Sequence, residues 1–169
     1  MPQSTAKNKA TPQRPNLPEG YQIPAAKKAS DYLPWSWAEQ RLKRARNYWI
    51  GTTRPDGRPH LMPVWGVWVD GALYFGTDRQ SKKARNVVAN PAMVAHADIE
   101  DDAVIVEGEA REYKGSMTAI DAAFKKKYKM KLSAVPGDVF LCELRPKVVF
   151  AWSEPTFAKK ATKFVYRGD

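Results

Sequence analysis

Cysteine and histidine are scarce in this chain of 169 residues, which contains one Cys and two His. Cys142 has no second cysteine to pair with, so a disulfide within one chain is excluded. A structural zinc site needs a full set of Cys and His ligands and is close to excluded for the same reason. Cys142 falls in an apolar strand pattern, which predicts a residue of the core.

Long apolar runs are also missing from the sequence. No stretch approaches the roughly 20 apolar residues of a membrane-spanning helix, and the N-terminus shows no apolar signal segment. We therefore expect a cytoplasmic protein with no membrane partner. The hydrophobic content of 43% is enough for one domain with a proper core.

Recognised catalytic and nucleotide-binding motifs are missing too. The chain has neither a Gly-rich dinucleotide loop nor a Walker loop, and no hydrolytic constellation emerges. His96 lies in an alternating strand and is interpreted as structural. His60 follows a turn, where contact with a ligand is the less favoured interpretation. Without an acid, base or nucleophile of its own, such a protein works as an enzyme when a cofactor supplies the chemistry.

Acidic residues are outnumbered by basic ones, 18 against 28, which gives a net charge of +10. This charge predicts an acidic partner, and nucleic acid, anionic lipid and a polyanionic cofactor all fit, as does a solvated basic surface. No recognised nucleic-acid motif accompanies the charge, so we expect no nucleic-acid partner. The basic run Lys125–Lys131 is interpreted as a solvated helix end.

The chain divides into a tail and one domain. Residues 1–30 are basic and rich in proline, and we expect a disordered tail with a contact near Tyr21 and Ile23 left open. Residues 31–169 are expected to form one cofactor-binding domain. Ser36 and Glu39 predict a capping box for a helix that begins at Trp37.

Hairpin connections dominate the rest of the domain. Residues 48–77 predict three strands, residues 81–89 a short helix, and residues 138–153 two strands broken near Arg145 and Pro146. Ser116 is expected to cap a basic helix. Six or seven antiparallel strands with a few short helices predict a mainly β (α+β) fold, a small antiparallel barrel, because the connections are too short for parallel crossovers.

The stretch TDRQSKKARNVVANP, residues 77–91, places two lysines at the start of a helix. A helix N-terminus already carries partial positive charge and free N–H groups, so Lys82 and Lys83 are unfavourable there unless an anion is bound. Ser81 either caps the helix or binds a phosphate oxygen, and Asn86 lies on roughly the same face. A phosphate site and a capped surface helix with solvated lysines both remain open.

The stretch LMPVWGVW, residues 61–68, has proline inside a strand pattern. Pro63 donates no hydrogen bond, so the site is predicted to be a bulge or an edge with backbone free to meet a ring system. Trp65 and Trp68 are expected on opposite faces, although two core tryptophans remain an alternative. Trp152, Thr162, Lys163 and Phe164 form a weaker third signal, a terminal segment able to cover a flat ligand or a partner subunit.

In this order the segments resemble the split β-barrel flavin and deazaflavin proteins related to pyridoxamine 5′-phosphate oxidase, over about residues 35–166. GTTRPDGRPHLMPVWGVWVDGALYFGTDRQSKKARNVVANP is similar to the N-terminal core of that superfamily. KVVFAWSEPTFAKKATKFVY resembles the C-terminal signature of the deazaflavin-dependent branch. The Arg-x-His element of true pyridoxamine phosphate oxidases is absent, and Lys163 stands where that branch usually has arginine, so a bidentate contact cannot be carried over.

The resemblance implies a six- to seven-stranded split β-barrel with an FMN-binding type of fold, assembled as a homodimer in which two subunits build each site. It implies a cofactor phosphate at the helix start, a ring system along the strand, and contacts from the C-terminal motif. The cofactor-binding residues expected on this basis are Met62, Pro63, Val64, Trp65, Thr77, Ser81, Lys82, Lys83, Asn86, Trp152 and Lys163.

The deazaflavin-dependent branch uses coenzyme F-420, which has a phosphate and an oligoglutamate tail and passes hydride. The resemblance therefore implies an F-420-dependent oxidoreductase that transfers hydride between reduced F-420 and an unsaturated organic acceptor, with no catalytic residue of its own and no metal. An FMN-dependent oxidoreductase of the same fold is the first alternative. A non-catalytic module that binds a cofactor or nucleic acid is the second.

Overall fold

A computed structural model of the protein describes residues 10–21 and 23–166. The described strands join in one antiparallel sheet that is not closed into a ring, and four α-helices pack against it. The strands are β1 (Ala10–Gln13), β2 (Asn47–Thr53), β3 (Pro59–Trp65), β4 (Val67–Val69), β5 (Ala72–Asp78), β6 (Ala92–Ala97), β7 (Asp102–Glu112), β8 (Val139–Ser153) and β9 (Thr162–Tyr166). The helices are α1 (Trp35–Arg44), α2 (Lys82–Ala89), α3 (Thr118–Tyr128) and α4 (Phe157–Lys160).

Strand β8 is the centre of the sheet. The main strand order is β1-β9-β8-β7-β6-β2-β3, and β5 branches from β8 and carries β4. The N-terminal half of β8 pairs with β5, from Val139 opposite Asp78 to Leu144 opposite Leu73. Its C-terminal half pairs with β9. This branching gives the sheet two arms and leaves β3 as the outer strand of one of them.

The predicted mainly β, antiparallel split-barrel fold is confirmed, with nine described strands where six or seven were expected. Residues 48–77 form four strands rather than three, because Gly66 separates β3 from β4. The predicted break near Arg145 and Pro146 is wrong, since β8 is continuous there. The sheet absorbs the proline through a register shift beside Gly108 on β7, where a Cβ atom would lie 1.9 Å from the carbonyl oxygen of Arg145.

Part of the segment expected to be a disordered tail is a strand of the sheet. Ala10–Gln13 pairs with β9, Ala10 opposite Tyr166. Arg14 continues the attachment, because its guanidinium donates to the carbonyl oxygens of Ala161 and Lys159 at 3.1 and 2.8 Å. The expectation of disorder is therefore corrected for these residues, and residues 1–9 lie outside the described part. The contact left open at Tyr21 is an edge-to-face pair with Phe157.

Two helix starts differ from prediction. Helix α1 begins at Trp35 after Pro34, so the predicted capping box at Ser36 and Glu39 is wrong. A proline fits this position because its fixed backbone angle is compatible with entry into a helix. Helix α3 begins at Thr118, and the Ser116 hydroxyl accepts from the Thr118 amide just before the first turn.

The core has two parts, one on each side of the β4 and β5 arm. The larger contains Tyr48, Phe75 and Cys142, which confirms the predicted burial of the cysteine. Burial raises the pKa of the Cys142 thiol to about 12. The smaller cluster is formed by α3, β4 and β5 around Phe124 and Tyr128.

Lys127 is an exception to the predicted solvated run at the end of α3. Its Nζ donates to the carbonyl oxygens of Ala45 and Gly66 at 2.8 and 3.0 Å and to the Tyr48 hydroxyl at 3.1 Å. Burial lowers the pKa of Lys127 to about 8. The ammonium thus anchors α3 to the end of α1 and to the β3–β4 connection.

Candidate functional site

A cleft of about 450 Å³ opens between β3, β5 and the segment that follows α3. This volume lies within the range of small-molecule sites, about 300–1,000 Å³. The polar part of its wall comes from Thr77, Asp78, Lys83 and Asp138, and the strand part from Pro63, Val64 and Trp65. The apolar part of the wall is formed by Phe124, Met130, Leu132, Val135, Pro136 and Val139.

Strand β3 lines this cleft with Pro63, Val64 and Trp65, and it is the outer strand of its arm. It pairs with β2 along its length, and the sheet order ends there. Pro63 therefore occupies an edge, as predicted from its missing N–H. Trp65 is 47% exposed and Trp68 is 3% exposed, so the prediction that the two tryptophans face opposite sides is confirmed.

Trp65, which lines the cleft, packs against Tyr128 of α3. Its ring stacks on the ring of Tyr128. The single proton of the Tyr128 hydroxyl is donated to the carbonyl oxygen of Arg46, at 2.6 Å, or to that of Gly66, at 2.8 Å. The same hydroxyl accepts from the amide of Gly66 at 2.9 Å. The guanidinium of Arg46 lies 5.7 Å from the Trp65 ring. The indole is therefore held in place before any ligand binds.

The start of α2 is built by hydrogen bonds from the preceding strand. The Ser81 hydroxyl accepts from the Ala84 amide at 3.2 Å, which caps the helix. Thr77, on β5, donates its hydroxyl to Ser81 at 3.1 Å. The cap confirms the predicted helix start. Because the Ser81 oxygen already serves this cap, phosphate binding by Ser81 stays a prediction.

The two lysines of α2 are in different environments. Lys83 lines the cleft and is half-buried, and this burial lowers the pKa of its ammonium. Lys82 is exposed. No acidic partner for either lysine occurs among the ion pairs of residues 10–21 and 23–166. A cation that loses water contacts without gaining a counter-charge suits the binding of an anion.

Arg54 was not predicted as a site residue from the sequence, and ligand contact was the less favoured interpretation of His60. The Nε atom of Arg54 and the Nδ1 atom of His60 are buried without a hydrogen-bond partner. Burial lowers the pKa of His60, and the charges of Arg54, Lys82 and Lys83 lower it further. The signal available in the sequence was RPDGRPH, residues 54–60, a basic turn leading into the strand that carries Pro63.

Six of the expected residues are outside the cleft lining; two of them, Ser81 and Lys82, directly precede Lys83 at the start of α2, and the other four lie at other positions of the fold. Asn86 is buried and donates its amide to the Thr52 hydroxyl at 3.0 Å, a contact that joins α2 to β2. Met62 is exposed on β3 and outside the cleft lining. Trp152 packs edge-to-face against Phe157. Lys163, on β9, pairs with Gln13 and Phe150, so neither C-terminal residue reaches the cleft of its own chain.

No group of three or more His, Cys, Asp or Glu side chains that could hold a metal ion occurs within residues 10–21 and 23–166. In the same part of the chain, no helix has both the length and the apolar character needed to cross a bilayer. The unpaired nitrogens of Arg54 and His60 lack acceptors, which an oxyanion supplies.

An open antiparallel sheet with a helix that begins beside a strand-lined cleft is the arrangement of a split-barrel protein. Residues 37–153 match the family described as pyridoxamine 5′-phosphate oxidase. The match spans more than half of the chain, and the protein belongs to this family. No curated protein matches the sequence.

Solved structures with the same fold differ in the cofactor that their descriptions name. An F-420 reductase shares 26% identity with a TM-score of 0.53, and the match covers 64% of this chain and 91% of that chain. A pyridoxamine 5′-phosphate oxidase-related, FMN-binding protein from Nostoc punctiforme shares 17% identity, TM-score 0.55, over 81% and 93%. The heme storage protein of Vibrio cholerae shares 17%, TM-score 0.54, over 68% and 90%.

Proposed function

We propose that the protein is an F-420-dependent oxidoreductase that transfers hydride between reduced F-420 and an unsaturated organic acceptor. The observation that carries the proposal is one cleft in which Pro63, Trp65 and Thr77 line the wall together with Lys83 from the first turn of α2. Bound F-420 supplies the hydride chemistry. The protein supplies binding, orientation and exclusion of water.

Each wall of the cleft has a role in this proposal. The exposed edge of β3 and the indole of Trp65 lie along a planar ring system, and the Tyr128 stack keeps that wall rigid. Lys83 and Lys82 hold the phosphate. Phe124 and Leu132 form an apolar wall that excludes water and receives the apolar part of the acceptor. Placement of the acceptor against the ring is then the main catalytic contribution of the chain.

Charge and similarity favour F-420 over FMN. The net charge of +10 matches a cofactor with a phosphate and an oligoglutamate tail. The Ala161–Phe164 ending and the similarity to an F-420 reductase point the same way. An FMN-dependent oxidoreductase is the second candidate, because the FMN-binding structure from Nostoc punctiforme has the same fold and a phosphate monoester suits the same lysines.

A homodimer belongs to the proposal. The outer face of β2, β3 and β6 exposes Trp49, Leu61, Trp65 and Val94. Gly51 lies beneath the centre of this face, where a Cβ would come within 2.6 Å of Val94 Cγ1. Burial of such an apolar surface against a second copy is favourable. The partner would also bring Trp152 and Lys163, which lie outside the cleft of their own chain, closer to a shared site.

A binding titration tests the proposal. We expect F-420 to bind at least about tenfold more tightly than FMN or FAD, a difference of about 1.4 kcal/mol. Fluorescence titrations with F-420, FMN, FAD and heme under one set of conditions measure this preference. Tighter binding of FMN would establish the second candidate, and tighter binding of heme would reject both. Binding of F-420 without hydride transfer to any of a panel of unsaturated acceptors would leave a carrier rather than an enzyme.

A further inference from the structure

A group of hydrogen-bonded polar side chains joins the end of α1 to the β3–β4 connection. The ammonium of Lys127 has three protons and donates them to the carbonyl oxygens of Ala45 and Gly66, at 2.8 and 3.0 Å, and to the Tyr48 hydroxyl, at 3.1 Å. The Tyr48 hydroxyl donates its own proton to the carbonyl oxygen of Leu42. Lys127 forms no ion pair in the described part of the chain, so these neutral oxygens are its direct partners.

The Tyr128 hydroxyl completes this group and has a choice of two acceptors. It has one proton to give, and it lies 2.6 Å from the carbonyl oxygen of Arg46 and 2.8 Å from that of Gly66. While Lys127 is charged, its ammonium already donates to Gly66, so the Tyr128 proton goes to Arg46. Each oxygen that accepts a proton from Lys127, Tyr48 or Tyr128 then has its own donor.

Loss of one proton from Lys127 leaves one of these oxygens without a donor, because a neutral amine has only two protons. Leu42 and Ala45 are 0% and 1% exposed and Gly66 is also buried, so a carbonyl oxygen released at any of the three would lose a hydrogen bond without gaining water. Arg46 is exposed, so water can replace the tyrosine at its carbonyl oxygen. The least costly rearrangement therefore moves the Tyr128 proton from Arg46 to Gly66.

We propose that Lys127 is a proton-sensitive positioning residue for the cleft wall that Trp65 forms. When Lys127 is charged, the Tyr128 hydroxyl holds the backbone of Arg46. When Lys127 is neutral, the hydroxyl holds Gly66 and the backbone of Arg46 is released. The guanidinium of Arg46 lies 5.7 Å from the Trp65 ring and 5.8 Å from the Tyr128 ring, so release of this backbone loosens its contact with the indole. The wall thus has two states, and the proton on Lys127 selects between them.

The pH at which the two states exchange follows from the burial of Lys127. Burial lowers the pKa of its ammonium from the ordinary value of 10.5 to about 8. The charged state predominates below this pH and the neutral state above it. Tyr48 and Tyr128 face the ammonium, and burial raises the pKa of both hydroxyls, so neither ionises in this range. Arg46, near the Tyr128 ring, remains charged throughout.

The test is fluorine NMR of the protein labelled with fluorotryptophan and free of ligand, between about pH 7 and pH 9.5. Trp65→Phe assigns the Trp65 signal among the six tryptophans, and Trp152, which packs on Phe157, is an internal reference. We expect the Trp65 signal to move with a midpoint at about pH 8 and the Trp152 signal to stay in place. Burial lowers the pKa of both histidines and raises that of the cysteine thiol, so these groups do not titrate in this range.

Variants separate the proton exchange from a simple charge effect. In Lys127→Met the titrating group is gone, so the Trp65 signal should not move near pH 8. Lys126→Met, at an exposed position of the same helix, is the matched control and should keep the full response. The α-amino group of the chain also titrates near pH 8, and it is present in both variants. Tyr128→Phe keeps the aromatic ring and the ammonium but has no hydroxyl proton to move, so it should lose most of the response.

A Trp65 signal that stays constant between pH 7 and pH 9.5, or that titrates in Lys127→Met as in the wild type, would overturn the inference. A full response in Tyr128→Phe would also overturn it, because a change of charge alone would then account for the shift. If Lys127→Met does not fold, the wild type and Tyr128→Phe still decide between these outcomes. The protein carries no ligand in these measurements, so the inference and the F-420 proposal stand or fall separately.

Discussion

Trp65 and Tyr128 lie parallel, with ring centroids 4.9 Å apart and an angle of 7° between their planes. Trp65 belongs to β3 and Tyr128 to α3, so the pair joins the outer strand of one arm to the helix that closes the cleft. Arg46 lies near both rings, 5.7 and 5.8 Å from their centroids. The strand wall of the cleft therefore depends on a side chain about sixty residues away in sequence.

Trp65→Ala should weaken cofactor binding by about 1–2 kcal/mol, because stacking of a planar ligand on an aromatic side chain contributes about that amount. Titration of F-420 or FMN against the variant measures the change. Trp65→Phe retains an aromatic face and should recover most of the affinity. Equal affinities of the wild type and the alanine variant would show that the Trp65 indole does not contact the cofactor.

Tyr128→Phe should instead act on stability. The hydroxyl serves Gly66 and the carbonyl oxygen of Arg46, so its loss leaves buried polar groups unpaired and should lower the free energy of unfolding by about 1–3 kcal/mol. The aromatic ring and its stack are kept, so ligand affinity of the folded variant should change little. Denaturant unfolding measures the first effect and titration the second. A variant that binds poorly while remaining fully stable would contradict this division of roles.

Lys83→Ala should weaken cofactor binding by about 1.5–3 kcal/mol, the usual contribution of a hydrogen bond to a charged group. Lys82→Ala should cost less, because Lys82 is exposed. The double variant should lose about 2–4 kcal/mol, since neighbouring contributions are not fully additive. Without cofactor, each variant should be as stable as the wild type or slightly more stable, because a cation leaves a helix N-terminus.

Arg85→Ala is the matched control for these lysines, since Arg85 is exposed on the same helix and does not line the cleft. Affinity and thermal unfolding should be measured in the same buffer. Earlier melting of the cofactor-free Lys83→Ala protein would assign the lysine a structural role, and a loss of affinity equal to that of Arg85→Ala would assign it to the general surface charge.

Arg14→Ala should lower the free energy of unfolding by about 1–2 kcal/mol, because two hydrogen bonds from a charged group to backbone carbonyls are lost. The control is Arg44→Ala, an exposed cation at the end of α1, which should be close to neutral. Deletion of residues 1–18, which composition alone predicts to be harmless, removes β1 and should destabilise the protein as well. If both variants had the same free energy of unfolding as the wild type, this segment would contribute nothing to the stability of the fold.

The pairing of β1 with the sheet could not be predicted from the sequence. Hairpin turns, the Ser81 cap and the edge position of Pro63 follow from local chemistry, so the strands around the cleft were predictable. Ala10–Gln13 has no apolar alternation of its own, and its strand conformation comes from backbone pairing with β9. The partners of Asn86 and Lys127 are likewise distant in sequence, and burial decides their roles.

Some residues of the candidate site could likewise not be predicted from the sequence. Lys82 and Lys83 can be identified from the sequence as candidates, because cations are unfavourable at a helix N-terminus. Nothing in the local sequence marks Arg54 and His60. They become candidates only in the structure, where Arg54 Nε and His60 Nδ1 are buried without a hydrogen-bond partner. Five of the predicted residues, Pro63, Val64, Trp65, Thr77 and Lys83, line one cleft, and their contacts to a cofactor stay predictions.

Glu143 should make the protein sensitive to acid. Its side chain is fully buried and accepts from the Tyr74 hydroxyl and from two arginines, Arg111 and Arg145. Burial alone would raise its pKa, but the hydrogen bonds from Arg111, Tyr74 and Arg145 outweigh burial, and the pKa is lowered. A carboxylate with a lowered pKa stabilises the fold above its unfolded value near 4.5, and this contribution is lost as the pH falls through the folded value.

Glu143→Gln should therefore lower the free energy of unfolding by about 1–3 kcal/mol at neutral pH, and the difference from wild type should shrink below about pH 4. The loss is smaller than for a fully buried ion pair, since both arginines are more than half exposed. Urea unfolding of both proteins over a pH series measures this. Glu109→Gln, which removes a partner of Lys147 on the surface, is the control and should be nearly neutral.

Leu61→Arg should prevent dimer formation if the outer face of β2, β3 and β6 is the interface. The substitution places a charge where Trp49 and Val94 would otherwise be covered. Sedimentation should show a dimer for the wild type at micromolar concentration and a monomer for the variant. Val88→Arg, at an exposed position of α2 outside the cleft lining, is the control for an added charge. A wild-type monomer that binds cofactor normally would reject the dimer.

The branching of the sheet at β8 has a consequence for the order in which the molecule opens. Amides of Cys142 and Leu144 are enclosed between β5 and β7, and each exchanges with solvent only after the strand that accepts its hydrogen bond separates. Amides of β1 are protected on one side by β9 alone. Hydrogen exchange should therefore be slowest in the first half of β8 and fastest in β1, and breathing of the terminal strands can proceed while the strands beneath the cleft remain closed.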